Sequence, residues 1–207
     1  MMGIGCGVSE STDEPALMFG RLGRSRSDSG IIRCDKSFML LLAEFEGRLE
    51  REGLKWMGVR EISNTVHAFG VMGVTSKLLF DIVEKDAERI MSDGNPQDIS
   101  NIAYAFAKLG EKRSGFFKAV DTERVAGKLV KEGDPQEIAN TIWAFASLRH
   151  TANILPGLIN REGVAEKLVR NGSPQAISNT IYALTFLGYK ADVLARLINR
   201  EDVAEKL

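Results

Sequence analysis

The stretch SPQAISNTIYALTFLG, residues 173–188, is the last of three closely similar stretches in this chain. DPQEIANTIWAFASLR begins 39 residues earlier, at Asp134, and NPQDISNIAYAFAKLG begins another 39 residues earlier, at Asn95. A more divergent copy, VREISNTVHAFGVMG, places Asn64 37 residues before Asn101 and lacks the Pro-Gln start. Repeats of about 20–50 residues are typical of chains built by stacking copies of one small unit. The sequence therefore predicts about four such copies.

Each closely similar copy begins with a helix start signal. Asn95, Asp134 and Ser173 carry side chains that accept hydrogen bonds from free amides in a first helical turn. The proline after each of them lacks an N–H and suits the first helical position. Asp98 and Glu137 favour a capping box at two of these starts. We therefore predict that a helix A begins at each site, after a glycine that ends the previous helix in the left-handed conformation. These glycines are Gly94, Gly133 and Gly172.

Apolar spacing predicts one buried stripe on helix A and a second helix, helix B, in each copy. Ile99, Ala103 and Phe106 recur at helical spacing. In helix B the five-residue step from Ile159 to Val164 breaks the 3.6-residue phase, so we expect a kink or short break there. The expected N-caps of helix B are Ser114, Asn153 and Asp192.

A helix pair of this size cannot bury both of its apolar faces alone, so the copies are expected to stack. The predicted fold is all-α: an α-solenoid of helix pairs with a period of about 39 residues and a right-handed superhelical twist. Residues 1–36 are rich in Gly and Ser and are predicted to be disordered. Residues 37–57 are predicted to form a capping helix. Residues 58–207 are predicted to form the repeat array of about four copies, the last one truncated.

Composition and single motifs give no sign of catalysis. The chain has 27 Lys+Arg against 28 Asp+Glu and 44% hydrophobic residues, which is ordinary for a globular protein, and it contains no apolar run long enough to span a membrane. Cys6 and Cys34 fit no zinc or redox spacing, and His67 and His150 lack partners at metal or triad spacing. Residues 3–7, GIGCG, follow no strand and open no helix, unlike a phosphate-binding loop. We therefore expect no enzyme activity, no cofactor, no metal and no membrane partner.

The repeated pattern PQxISNTIYAxAxLG resembles a known group of helical repeats. With an aromatic residue three positions after the repeated Asn, at Tyr104, Trp143 and Tyr182, it is similar to the octotricopeptide repeats and to the leucine-rich repeats of FAST-kinase-like, RAP-domain-associated proteins. The resemblance covers about residues 58–207. It implies an α-solenoid that binds single-stranded RNA and regulates RNA stability, processing or translation in an organelle.

The same resemblance carries expectations about partners and location. Other proteins of a ribonucleoprotein complex are implied as partners, and DNA is not. The family implies the mitochondrial matrix first and the plastid second. Glu10, Asp13 and Glu14 are unusual in a transit peptide, so a cytoplasmic location stays open.

Polar and aromatic side chains are predicted to share one face of each helix A and to bind RNA. Amides read base edges and planar side chains stack on bases in single-stranded RNA recognition. The predicted set on this face is Gln97, Asn101, Tyr104, Lys108, Gln136, Asn140, Trp143, Ser147, Gln175, Asn179, Tyr182 and Phe186. The cations predicted to contact phosphate around the A–B turns are Lys112, Arg113, Arg149 and Lys190.

Two alternatives are open from the sequence. The repeated Asn and aromatic residues have a second interpretation, in which they pack one copy against the next and the amide bonds backbone at a helix end. Base discrimination is then expected from positions that vary among the copies: Glu61, Asp98, Glu137 and Ala176, together with Val71, Lys108, Ser147 and Phe186. For the whole chain, the near-neutral charge suits a protein-interaction scaffold like armadillo or HEAT arrays equally well.

Overall fold

The computed structural model describes residues 36–199, and within that range it contains only helices and no strand. The predicted all-α class is therefore confirmed. The helices are α1 Lys36–Glu52, α2 Val59–Met72, α3 Lys77–Lys85, α4 Ala87–Asp93, α5 Pro96–Leu109, α6 Ser114–Val120, α7 Glu123–Glu132, α8 Pro135–Leu148, α9 Ile154–Ile159, α10 Glu162–Asn171, α11 Pro174–Phe186 and α12 Asp192–Ile198. None of these helices is long and apolar enough to cross a membrane. The predicted disorder before Lys36 and the last part of the array, 200–207, lie outside the described residues.

One layer of the fold consists of the A helices, α2, α5, α8 and α11, which pack side by side in chain order. Small residues allow close approach: a Cβ on Gly70 would lie 2.8 Å from the Cα of Ala105 on the neighbouring helix. The predicted apolar stripe points into the core, since Ile99, Ile138 and Ile177 are at most 3% exposed. The helix faces were therefore predicted correctly.

The other layer consists of the B helices, and in the first three copies, where the structure describes the whole helix, each is broken into two short segments. In the third copy α9 ends at Ile159 and α10 begins at Glu162, which confirms the predicted break. The second segment of one copy packs against the first segment of the next, as α4 does on α6, α7 on α9 and α10 on α12. At the N-terminal end α1 packs against α3, in the place predicted for a capping helix.

A column of phenylalanine rings fills the core between the layers. Phe80 meets Phe106 edge to face at a centroid distance of 5.4 Å, and Phe106 meets Phe116 at 5.3 Å. Phe117 continues the column to Phe145 at 4.9 Å. Edge-to-face pairs of buried rings stabilise a core beyond the burial of their area. The column thus links the A helices of successive copies to the B helices behind them.

The A helices begin as the sequence predicts. The Asn95 side chain accepts from the Asp98 N–H at 2.9 Å, and the Asp98 carboxylate accepts from the Asn95 N–H at 3.0 Å. Asp134 and Glu137 form the same reciprocal capping box. The Ser173 hydroxyl accepts from the N–H of Ala176 at 3.2 Å. The alanine side chain cannot accept a bond from the N–H of Ser173, so this start has no capping box. Each cap satisfies first-turn amides that would otherwise have no partner.

The prediction of left-handed glycines before these caps is wrong. Gly133 has φ −68° and ψ 150°, an extended conformation, and the corresponding glycines at 94 and 172 are extended as well. Glycine is needed there for space, because a Cβ on Gly133 would lie 2.5 Å from the carbonyl oxygen of Leu129 and 3.2 Å from the Cβ of Pro96 in the preceding copy. The chain turns directly from helix B into the next helix A through this narrow gap.

The predicted side-chain caps of helix B are also wrong. Ser114 and Asp192 are the first helical residues of α6 and α12, and the Asn153 side chain makes no capping bond. A carboxylate from the preceding copy takes this role. Asp121 accepts from the backbone N–H groups of residues 153, 154 and 155 at 2.7, 3.0 and 2.9 Å, and Glu84 accepts from the N–H of Gly115 at 2.6 Å.

The two capping carboxylates and Asn160 occupy one repeat position. Glu84, Asp121 and Asn160 stand at the end of the first segment of successive B helices. Asn160 contacts the next copy too, since its Nδ2 donates to the carbonyl of Lys190 at 2.8 Å. A carboxylate near an N-terminus interacts favourably with the helix dipole as well as with the free amides. The starts of α6 and α9 therefore depend on the preceding copy for their caps, whereas α3 is capped by its own Ser76, whose side chain accepts from the N–H of Leu79 at 3.2 Å.

A second contact between copies satisfies the opposite helix ends. Lys128 Nζ donates to the carbonyl of Gly94, and Lys167 Nζ donates to the carbonyls of Gly133 and, at 3.3 Å, Val130. In the first copy Arg89 donates in the same way to carbonyls just before α2. Cations at the C-terminal end of a helix bind its free carbonyls. This accounts for the repetition of lysine at 39-residue spacing.

Candidate nucleic-acid interface

The predicted RNA-binding side chains lie along one face of each A helix, which we call the A face. On α5 the outer two, Gln97 and Lys108, are exposed, while Asn101 and Tyr104 between them are half-buried. The third copy repeats this gradient, with exposed Gln136 and Ser147 and half-buried Asn140 and Trp143. In the fourth copy Gln175 is exposed and Asn179 is half-buried. The sequence prediction thus places these side chains on a common surface.

Aromatic rings form a row across the A face. The centroid of His67 lies 6.1 Å from that of Tyr104, which lies 5.5 Å from that of Trp143. These rings are inclined by 34° and 36°, so each partly covers the next. On α11 the pair Tyr182 and Phe186 has a centroid distance of 6.0 Å and is far more open, with 55% and 46% of each residue exposed. The row packs successive copies together and presents its most accessible rings on α11.

The amides on the A face bond to neighbouring side chains. Asn101 Nδ2 lies 3.5 Å from the Ser63 hydroxyl on the preceding A helix. Gln136 Nε2 donates to Asn140 Oδ1 at 2.8 Å within α8. The prediction that these amides bond to backbone at a helix end is wrong for both asparagines. Each of them lies in the middle of a helix, where the backbone groups bond one another. Both asparagines are half-buried, whereas the glutamines one turn before them, Gln97 and Gln136, are exposed.

Charge separates the A face from the B layer. Arg60 and Lys108 are exposed cations on the A helices, and among the described residues no acidic side chain of an A helix is fully exposed. The sequence reasoning missed Arg60, which alignment of the first copy with the others would have placed at the position of Gln97. The B layer, in contrast, exposes both signs, for example Glu123 and Arg124 side by side. The A face is therefore the surface of lower negative charge.

The four turn cations differ in availability. Lys112, Arg149 and Lys190 are exposed. Arg113 has a side chain only 12% exposed, pairs with Asp81, and lies 2.9 Å from a Glu111 carboxylate oxygen. Hydrogen bonding from Arg113 lowers the pKa of the Asp81 carboxyl, as expected for an ion pair. The structure places Arg113 between two copies, where it joins helix B of one to the turn of the next.

The variable positions fall into two groups. Asp98 and Ala176 are buried, so the expectation that they discriminate bases is wrong, while Glu137 belongs to a capping box and Glu61 is half-buried. Their side chains differ because they satisfy helix ends in different ways. Ser147 and Phe186, like Lys108, are exposed near the end of their A helices and differ in charge, size and polarity. This second group stays available for contact with a ligand.

Both histidines are structural. His67 takes the aromatic place in the first copy, and burial lowers its pKa. His150 Nε2 donates to the carbonyl of Lys112, and its ring stacks on Phe117 at 4.5 Å. Burial also lowers the pKa of His150. Within residues 36–199 no three His, Cys, Asp or Glu side chains converge as metal ligands.

No protein-family model matches this chain, and no curated protein matches its sequence. The surface of the described residues that is equipped to bind a ligand consists of the A face and the turns beside it. Their properties are exposed rings, exposed glutamine amides and exposed cations. Stacking surfaces combined with a cationic path are the usual equipment for binding single-stranded nucleic acid.

Proposed function

We propose that this chain is a single-stranded RNA-binding α-solenoid with a period of about 39 residues and a right-handed twist, and that it has no catalytic activity of its own. The observation that carries the proposal is the A face, where aromatic rings and amides repeat from copy to copy without an exposed carboxylate among the described residues. The side-by-side packing of the A helices supports the solenoid architecture.

In this proposal RNA lies across the A helices. Bases stack on the open rings of Tyr182 and Phe186 and meet the rims of the more buried Tyr104 and Trp143. Amides such as Gln97 on the exposed end of the row hydrogen-bond base edges. The phosphates contact the exposed cations of the A face, Arg60 and Lys108, and those at the A–B turns, which are Lys112, Arg149 and Lys190. Arg113 is assigned a structural role, because its guanidinium is already paired.

The cellular role follows from the resemblance of the repeats to octotricopeptide and FAST-kinase-like repeats. We propose that the protein acts on organellar transcripts, by affecting their stability, processing or translation within a ribonucleoprotein complex. The mitochondrial matrix is the first location to examine and the plastid the second. Crosslinking in cells, followed by sequencing of the bound RNA, identifies both the compartment and the target.

Salt dependence of binding tests the proposal directly. We expect the purified chain to bind a randomised single-stranded RNA pool with an affinity that falls steeply as salt rises, because each phosphate contact releases counterions. Replacement of both A-face cations, Arg60→Ser with Lys108→Ser, should flatten that slope. The matched control replaces two exposed cations of the B layer, Lys85→Ser with Lys131→Ser, and should leave the slope unchanged.

Other outcomes decide against the proposal. If the wild-type chain binds the pool no better than a neutral competitor protein does, the A face is not a nucleic-acid surface, and the armadillo-like scaffold becomes the better interpretation. If the B-layer control flattens the slope as much as the A-face variant does, RNA binds by charge alone and the row of rings has no part in it.

A further inference from the structure

The turn of the third copy holds an arginine in a conformation that normally favours glycine. Arg149 ends α8 with φ 58° and ψ 37°, in the left-handed region. The same turn position in the neighbouring copies is glycine: Gly110 has φ 72° and Gly188 has φ 83°. A side chain with a Cβ is strained there, whereas glycine is not. A non-glycine residue kept at such a position is a reason to look for a function of its side chain.

Arg149 lies at a pocket between the turns of the third and fourth copies. The pocket has a volume of about 310 Å³ and is lined by residues 149–153 on one side and by Phe186, Leu187 and Tyr189 on the other. None of the lining residues is acidic. The guanidinium side chain is exposed, and Phe186 is 46% exposed beside it. A cation and an open aromatic ring therefore border one opening.

The walls of this pocket are held by bonds between copies. The Tyr189 hydroxyl donates to the carbonyl of Ala152 at 3.2 Å and so ties the fourth turn to the third. His150 donates to the carbonyl of Lys112 and stacks on Phe117, which ties the third turn to the second. A recess with fixed walls loses little conformational entropy when it binds a ligand.

We propose that this pocket is a nucleotide subsite, in which the Arg149 guanidinium binds a phosphate and the Phe186 ring stacks on the adjoining base. The inference rests on the proposed RNA-binding function and locates one phosphate contact of that surface. A guanidinium presents paired N–H donors that match two phosphate oxygens, so one arginine can position a phosphate. The base then reaches the exposed ring at the end of α11.

The variant Arg149→Gly separates a ligand-binding role from a structural one. Since glycine relieves the left-handed strain, the melting temperature should be unchanged or higher. The affinity for a randomised single-stranded RNA pool should fall about tenfold, as expected for one charge-assisted contact. The slope of log affinity against log salt should also become shallower by about 0.7. Phe186→Ala should lower the affinity about tenfold without changing the slope.

Two further variants complete the test. Arg149→Lys keeps the charge and should retain the salt slope. Lys131→Ala, which removes an exposed cation from the B layer, should change neither affinity nor slope. Wild-type affinity and slope in Arg149→Gly would overturn the subsite while leaving the proposed function in place. Absence of salt-dependent RNA binding in the wild-type chain would overturn both.

Discussion

The carboxylate of Asp121 in one copy accepts a hydrogen bond from the backbone N–H of Leu155 in the next copy, at 2.9 Å. The same carboxylate also accepts from the two preceding amides, so it caps α9 from outside its own repeat. In a stack of repeats the interface between neighbours contributes much of the stability. Asp121 is therefore a residue through which one copy stabilises the fold of the following one.

Asp121→Ala should destabilise the array by about 2 kcal/mol, because it removes a charged cap that satisfies three amides. Asp121→Asn should recover part of the loss, as Asn160 occupies the corresponding position in the next copy. Thermal and urea unfolding measure the effect. Glu132→Ala, an exposed carboxylate at the end of α7, is the matched control and should change stability little. If Asp121→Ala and the control had the same melting temperature, Asp121 would not stabilise the array as a cap.

Asn140 and Trp143 should respond differently to alanine. Trp143 is half-buried against Tyr104, so Trp143→Ala is expected to cost about 1.5–3 kcal/mol, less than for a fully buried ring. Asn140 bonds only Gln136 among the described residues, on an exposed face, so Asn140→Ala should leave unfolding nearly unchanged and weaken RNA binding. Paired melting and RNA-binding measurements on both variants check this. A large stability loss in Asn140→Ala would mean that the asparagine is a packing residue.

The stability of the array should fall in acid partly through His67. Burial lowers the pKa of His67 in the folded state, so folding favours the neutral ring. This contribution is present above the unfolded pKa of about 6.5 and is lost as the pH falls through the folded pKa. His67→Tyr, which copies the residue at 104, should weaken the pH dependence of the melting temperature. The part of the pH dependence that comes from His150, whose pKa is also lowered by burial, should remain in this variant.

The check for this effect is a series of melting curves between about pH 8 and about pH 5. If tyrosine packs less well than the neutral histidine, the melting temperatures of the wild-type and His67→Tyr chains should be closer at the acidic end of the series than at the alkaline end. In either case the quantity to compare is the slope with pH. Identical slopes in the two chains would show that His67 does not titrate with folding.

Specificity should reside in the exposed variable position at the end of each A helix. Ser147→Lys copies Lys108 of the preceding copy, and both side chains are exposed, so the melting temperature should hardly change. If successive copies read successive nucleotides, preference should change at one position of the selected RNA. Selection from a randomised pool before and after the substitution measures this. Unchanged selected sequences would exclude this position from base recognition.

Much of the fold could be predicted from the sequence, because its signals are local. The Asn-Pro, Asp-Pro and Ser-Pro starts specify where the A helices begin, since an N-cap and its proline act within one turn. The spacing of isoleucines specifies which helix face is buried. The row of amides and rings also follows from the 39-residue period combined with helical geometry.

Other features depend on contacts between residues more than 30 positions apart. The glycine at 133 reads as a left-handed helix end in the sequence, yet it is extended, and glycine is needed there because a Cβ would lie 3.2 Å from the Cβ of Pro96 in the preceding copy. Similarly, Asn153 reads as an N-cap, but the carboxylate that caps α9 comes from the preceding copy. Such bonds depend on where stacking places one copy beside another.

The candidate site divides in the same way. The A face could be predicted from the sequence, because a helical period and a fixed repeat align equivalent residues on equivalent surfaces. In contrast, the packing of the copies determines that Arg113 forms an ion pair with Asp81, while Arg149 is exposed and lines a pocket with Phe186. In the sequence, the four cations at the turns cannot be told apart. Which of them is free depends on the charges that the neighbouring copy brings within bonding distance, and those are set by packing.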